Sequence, residues 1–208
     1  MKISNYTIRP ERPEDYRKTE NLTREAFWNV YRPGCTEHYV LHCFRSRPEF
    51  IPELDLVMEA DGEIIGHIMY VHSNIQSDDG RKIPTLTFGP ISIKPELQKM
   101  GCGKALLDCS IEKAAGLGAG AICIEGNIGF YGKSGFVEAG SMGLRYRTGE
   151  NEEIVPYFLC RELKPGFLTG ITGSYCPPEG YFIDEDKAGD LDALFPPKEK
   201  LSLPGQVV

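Results

Sequence analysis

Apolar positions recur along the chain in two rhythms, and the change from one to the other marks out its elements. Alternation over Tyr6-Thr7-Ile8-Arg9 predicts a first strand. Pro13-Glu14-Asp15 then supplies the proline and the acidic first turn of a helix expected to run to about Trp28. A second helix is predicted from Glu37 to Arg47, closed by Pro48 and Pro52. Apolar runs at 54–60 and 63–71 flank Asp61-Gly62, a dipeptide suited to the positive φ of a tight hairpin turn. The polar segment 77–82 leads antiparallel into Thr85-Leu86-Thr87-Phe88-Gly89-Pro90-Ile91-Ser92-Ile93, which alternates as a strand but carries Gly-Pro at its middle. Proline cannot donate to a ladder, so that pair predicts a bulge and a strand splayed from its neighbour. Leu107, Ile111 and Ala114/Ala115 follow at helical spacing, and 121–124 reads as a short buried strand, parallel to the bulged one because a helix intervenes. Residues 156–163 predict a late strand, and no repeats or low-complexity tracts occur.

Composition narrows the class. The chain's 208 residues suffice for one well-buried core. A formal net charge of −7 argues against nucleic acid as a partner and is compatible with attraction of cationic amines. The start of the chain, Met1-Lys2-Ile3-Ser4-Asn5, soon turns charged and proline-containing, and no segment reads as a membrane span, so a cytoplasmic location is expected. The seven cysteines at scattered spacings read as free thiols rather than a disulfide framework. Cys35, His38 and His42, with Cys43 adjacent, would share a helical face, but without a Cys-x-x-Cys pair they read as a half-buried face with Tyr39, Leu41 and Phe44, and no metal is expected. From Lys164 onward the chain turns to Gly, Pro and aromatics without helical period. It is expected to form an irregular extension or small hairpin over 164–208, packed on the same domain as residues 1–163, since its aromatics offer area that disordered tails lack.

Between the bulged strand and the next helix lies Gln98-Lys99-Met100-Gly101-Cys102-Gly103-Lys104. Two glycines let a backbone turn approach an anion, and the helix behind aims its free N–H groups and positive dipole end at the same place. A mononucleotide P-loop would need Gly where Gln98 stands and a hydroxyl where Ala105 stands. A dinucleotide fingerprint would need a small residue at Leu106. Gly116-Leu117-Gly118-Ala119-Gly120-Ala121 follows a helix and precedes a strand, the reverse of the dinucleotide order, and reads as a helix C-cap turn. Cys102 stands at a helix N-terminus, where a thiolate is stabilised, though a tolerant loop position is the plainer reading.

What remains is Gln-x-x-Gly-x-Gly after a bulged strand, followed downstream by Asn127-Ile128-Gly129-Phe130-Tyr131-Gly132-Lys133-Ser134-Gly135-Phe136. In these two blocks, in this order, the sequence resembles the GNAT superfamily of acyl-CoA-dependent N-acetyltransferases, in a bacterial branch with a C-terminal extension. The resemblance covers roughly the first three quarters of the chain. It departs from the pattern in one place: only three residues separate Asn127 from Tyr131, a shorter interval than the family commonly shows, so the intervening helix is trimmed. The fold it implies is α/β: a central mixed sheet of six to seven strands, splayed between strands 4 and 5 and flanked by about four helices. The implied cofactor is acetyl-CoA as acyl donor. Backbone groups of Ile91, Ser92 and Ile93 would pair with its pantetheine arm as a further strand. Backbone N–H groups of Lys99 to Lys104, with Gln98 and Asn127 also among the cofactor-binding residues, would hold its diphosphate. A backbone N–H near Ile91 or Ile93 would face the thioester oxygen.

The implied reaction is direct transfer of an acetyl group to a primary amine of a small molecule or peptide. A non-catalytic acyl-CoA sensor is the alternative, and a homodimer is an open expectation. Tyr131 is the expected general acid, protonating the departing thiolate. An amine of ordinary pKa arrives protonated, so a base is needed. Glu125, ending the strand after Ile124, is the candidate, with partial burial expected to raise its basicity. His67, His72 or water relays are alternatives. Phe27, Trp28 and Tyr31 are expected to wall the acceptor pocket.

Overall fold

The computed structural model describes residues 5–206. The reading drawn from Met1 to Ser4, and the last two residues of the extension, therefore lie outside the described residues. The fold is mixed α/β, with ten strands and five α-helices among the described residues. In chain order these are β1 (Thr7–Pro10), α1 (Tyr16–Phe27), α2 (Glu37–Phe44), β2 (Leu56–Ala60), β3 (Glu63–Ser77), β4 (Lys82–Ile93), α3 (Cys102–Gly116), β5 (Ala121–Glu125), α4 (Ile128–Tyr131), β6 (Val137–Glu138), β7 (Leu144–Thr148), β8 (Asn151–Glu153), β9 (Phe158–Glu162), β10 (Gly173–Tyr175) and α5 (Glu185–Asp192). No helix of the described residues is long and apolar enough to cross a membrane.

The chain forms two compact units: one made of the chain up to Met69, Pro90–Cys109 and the chain from Glu179; the other of Tyr70–Gly89 and Ser110–Pro178. β3, β4 and α3 each run from one unit into the other.

In the first unit, β1 pairs antiparallel with β2, and β2 with β3 across the Asp61-Gly62 turn. Both turn residues have positive φ, 51° and 78°, as a hairpin of matching twist requires. Pro13 opens a 3-10 turn that leads into α1, and the Asp15 carboxylate accepts from the Arg12 N–H at 3.2 Å. α1 buries polar side chains as well as Leu22, and the largest of them, Arg24, donates from Nε to Asp192 Oδ1 of α5 at 2.6 Å. α5 corrects the expectation of a tail without helix. It starts at Asp184, whose carboxylate accepts from the Lys187 N–H, and Glu185 and Asp186 stand where the helix dipole favours acids. Its eight residues show too little apolar period for the sequence to announce them.

In the second unit the strands run β6-β9-β5-β4-β3-β10-β7-β8. β4 pairs with β5, and β7 with β10, in parallel; β5 with β9, β6 with β9, β7 with β8 and β3 with β10 are antiparallel. The sheet curls around a core that includes Cys123, Phe158, Cys160, Leu168, Ile171 and Tyr175. The extension thus adds a strand, β10, between β3 and β7. Together with the two- and three-residue β6 and β8, it raises the strand count above the six to seven expected, because strands this short carry no legible alternation.

Candidate active site

The first unit holds the loop predicted as an anion cradle. β4 ends at Ile93, a 3-10 turn covers Pro95–Leu97, and α3 begins at Cys102. Between them Lys99 has φ 60° and Gly101 φ 96°. Left-handed residues set among right-handed ones turn successive N–H groups to one side, a concavity that suits anions. A left-handed lysine is uncommon and marks local strain. A Cβ at Gly101 would meet nothing within 4 Å, so glycine is needed there for its φ. α3 adds the unpaired donors of its first turn and its positive dipole end.

The side chains mostly brace the loop. Gln98 donates from Nε2 to the Ile93 carbonyl at 3.1 Å, and Lys104 pairs with Asp108 one turn along α3. Ser92 is buried and shares a 2.8 Å hydrogen bond with Thr23 of α1, while Ile93 is buried and Ile91 half-buried. Cys102 is only 4% exposed, so its thiol belongs to the core rather than to the loop surface. Gly103 and Met100 are half-buried and Lys99 is exposed.

The second unit shows how the splay is made. β4 and β5 share one register pair, Leu86 with Ile122. Beside it Thr87 donates its hydroxyl to the Cys123 carbonyl at 2.8 Å and lies 2.6 Å from Tyr175 Oη and 3.0 Å from Ser73 Oγ. A side chain thus stands where a ladder bond would have continued. Gly89 follows at φ 147°, where the bulge was expected.

Next to that point, Phe88 lies 5.8 Å from the Tyr131 ring. Tyr131 is half-buried at the end of α4, edge-on to Phe130 at 4.9 Å and to Phe136 at 5.8 Å. Its ring also lies on the backbone of Gly126, where an added Cβ would stand 2.3 Å from Tyr131 Cε2. Asn127 caps α4, its side-chain oxygen accepting from the Gly129 N–H at 2.7 Å, which commits that oxygen to the helix. α4 is a single turn, the trimmed helix foreseen from the short Asn-to-Tyr interval.

Glu125 ends β5 immediately before Gly126. It is exposed, not partly buried as expected, because β5 runs out of the core at its last residue. Its Oε1 accepts from Tyr146 Oη of β7 at 2.7 Å. Burial first, and this bond second, push the Tyr146 phenol well above its ordinary pKa, so it is a proton donor throughout the neutral range.

Of the other predicted residues, His72 belongs to the second unit and the rest to the first. Phe27 and Tyr31 stand 6.0 Å ring to ring, with Tyr31 well exposed. Trp28 is engaged by the tail: its Nε1 donates to the Glu199 carbonyl at 2.9 Å, and the Arg24 guanidinium covers its ring at 4.2 Å. His67 is fully buried, 2.7 Å from Asp55 Oδ1, and burial pushes it down to about 4, so it is a neutral core histidine. His72 is exposed on β3. Glu11, Asp55 and His67 come close enough to hold a cation, but Arg45 donates to both Glu11 oxygens, at 3.0 and 2.9 Å, and already supplies the positive charge. Cys35, His38 and His42 do not converge: Cys35 Sγ is 3.5 Å from His38 Nδ1, while His42 turns to Glu20 at 3.1 Å. Burial raises the Cys35 thiol to about 12 and lowers His38 to about 4.

Sequence reasoning missed Thr87, Gly126 and Tyr146. Gly126, directly after a strand and ahead of the Asn-to-Tyr block, was the one with a visible signal. Tyr146 sits in a five-residue strand, and nothing in the sequence joins it to Glu125.

A profile of the acetyltransferase (GNAT) family matches residues 15–136. Among curated proteins, an uncharacterized N-acetyltransferase of Escherichia coli, YjhQ, is 26% identical over 85 residues, 41% of this chain and 46% of that protein. The chain thus matches about half the length of that relative. Among solved structures, the GNAT family N-acetyltransferase YhbS of Escherichia coli, in complex with CoA, superposes with a TM-score of 0.73 at 22% identity over 86% of this chain and 92% of that one. A GNAT family acetyltransferase of Brucella melitensis, in complex with acetyl-CoA, gives 0.67 at 24% identity over 86% and 99%. At these identities the two structures establish the likeness of fold.

Proposed function

The chain belongs to the acetyltransferase (GNAT) family, and from that premise we propose that it moves the acetyl group of acetyl-CoA directly to a primary amine of a small molecule or peptide. The observation that carries this reading is Tyr131, laid against Gly126 beside Glu125 at the end of β5 and packed on Phe88 where β4 leaves β5. The bound acetyl-CoA supplies an activated acyl group. The amides of Lys99 to Lys104 would hold its diphosphate, with charge-assisted hydrogen bonds of about 1.5–3 kcal/mol each. β4 contributes the backbone of Ile91 to Ile93 for the pantetheine arm.

The proton balance follows from the two side chains in the second unit. Glu125 removes one proton from the substrate ammonium and releases it to solvent. The amine nitrogen then forms the C–N bond with the acyl carbon, and the C–S bond breaks with its electron pair on sulfur. Tyr131 gives its phenolic proton to that sulfur and recovers one from the acylated nitrogen. Amide, free CoA thiol and one proton result, with both side chains restored.

The test is release of CoA thiol from acetyl-CoA across a panel of amines, with mass spectrometry of the products. Turnover of at least one amine is expected, and Tyr131→Phe should lower kcat by about 10²–10⁴. Tight CoA binding without release for any amine, together with no effect of Tyr131→Phe, would mark a sensor instead.

A further inference from the structure

We propose that Tyr146 is the positioning residue of the base Glu125, and that the C-terminal extension builds its support. The inference rests on the transferase reading above. Glu125 is exposed at a strand end, and a free glutamate samples many rotamers, whose ordering costs conformational entropy. Tyr146 removes that freedom by donating to one carboxylate oxygen at 2.7 Å. The other oxygen has no hydrogen-bond partner among the described residues, and it is the one left to receive a substrate proton.

The donor is itself held from several sides. Tyr146 is half-buried, with its ring 5.6 Å from Tyr157, 5.7 Å from Phe158 and 6.2 Å from Tyr175. Phe158 is the register partner of Glu125 in the β5–β9 ladder, so the buttress is tied to the strand position it serves. Tyr175 comes from β10, the strand added by the extension, and is the register partner of Tyr146 in the β7–β10 ladder. Its ring stacks on Phe158 at 5.0 Å and 16°, and its hydroxyl meets Thr87 at 2.6 Å. One extension residue therefore contacts both the Thr87 hydroxyl that bonds β4 to the Cys123 carbonyl of β5 and the phenol that aims the base. That arrangement gives the strand of the extension a task in catalysis as well as in folding.

The experiment compares the parent chain, Tyr146→Phe, Glu125→Gln and the double variant, with the amine that the parent turns over best. Tyr146→Phe keeps the ring packing and removes one hydroxyl. It is expected to lower kcat by about ten- to a hundredfold while leaving the KM for acetyl-CoA within about twofold. The double variant should be no slower than Glu125→Gln alone, since Tyr146 acts through Glu125. An unchanged kcat in Tyr146→Phe, or losses that multiply in the double variant, would overturn the inference and leave the transferase reading standing. Absence of CoA release by the parent with every amine would overturn that reading and this inference with it.

Discussion

A methyl group at position 126 would stand 2.3 Å from Tyr131 Cε2, far inside contact distance, so the placement of the proposed acid depends on the absence of one side chain. Gly126→Ala is therefore expected to push the Tyr131 ring off the end of β5. The fold should survive, because overpacking of this kind costs about 1–3 kcal/mol. Steady-state kinetics should show kcat down at least about tenfold with the KM for acetyl-CoA little changed. A kcat equal to that of the parent would mean that Tyr131 does not need its present seat. At this scale the sequence was legible where a motif fixed a residue's neighbours, as with Tyr131, and illegible where a partner came from a distant strand. The place of Glu125 at a strand end is legible, but its exposure and its Tyr146 partner depend on how the sheet curls. The Glu199 carbonyl that engages Trp28 comes from a tail without legible pattern, so that contact is not visible in the sequence.

At the scale of elements, the segments with strong local causes stand where patterning put them. The Asp61-Gly62 hairpin, the proline-opened α1, the bulged β4 and the parallel β5 each follow from turn chemistry or periodicity over five or more residues. Gly118, at φ 87° just beyond α3, likewise makes the predicted helix C-cap. β6, β8 and β10 did not announce themselves, since two or three residues cannot display a period of two, and β10 takes its place through pairing with β3 and β7. The splay is the instructive case. Gly89-Pro90 predicted a break in the ladder, but the bond found beside the last register pair, from the Thr87 hydroxyl to the Cys123 carbonyl, is a tertiary contact between residues far apart in sequence.

At the scale of the whole molecule, buried charge governs how stability responds to pH. Burial raises Glu11 from its ordinary 4.5 to about 7 and raises Asp55 as well, so the folded chain keeps protons that the unfolded chain releases. Their contribution is lost as pH rises from about 4.5 through 7. Burial lowers His67 from 6.5 to about 4, so the unfolded chain takes up a proton that the folded chain refuses, and that contribution is lost as pH falls through the same range. The two slopes oppose each other in the native protein. His67→Gln leaves only the carboxyl slope, and its Tm should fall more steeply than that of the parent between pH 4.5 and 7. Parallel Tm profiles for the two proteins would contradict this assignment of the buried network.

The central claim is that main-chain amides between Lys99 and Lys104 grip the diphosphate of CoA, with Gly101 at φ 96° shaping the turn. Calorimetric titration of CoA into the parent and into Gly103→Val tests it most directly, because a β-branched side chain in the first turn of α3 would obstruct the phosphate. The account predicts a dissociation constant more than about tenfold weaker for Gly103→Val with an unaltered fold. Equal affinity in the two proteins would contradict it.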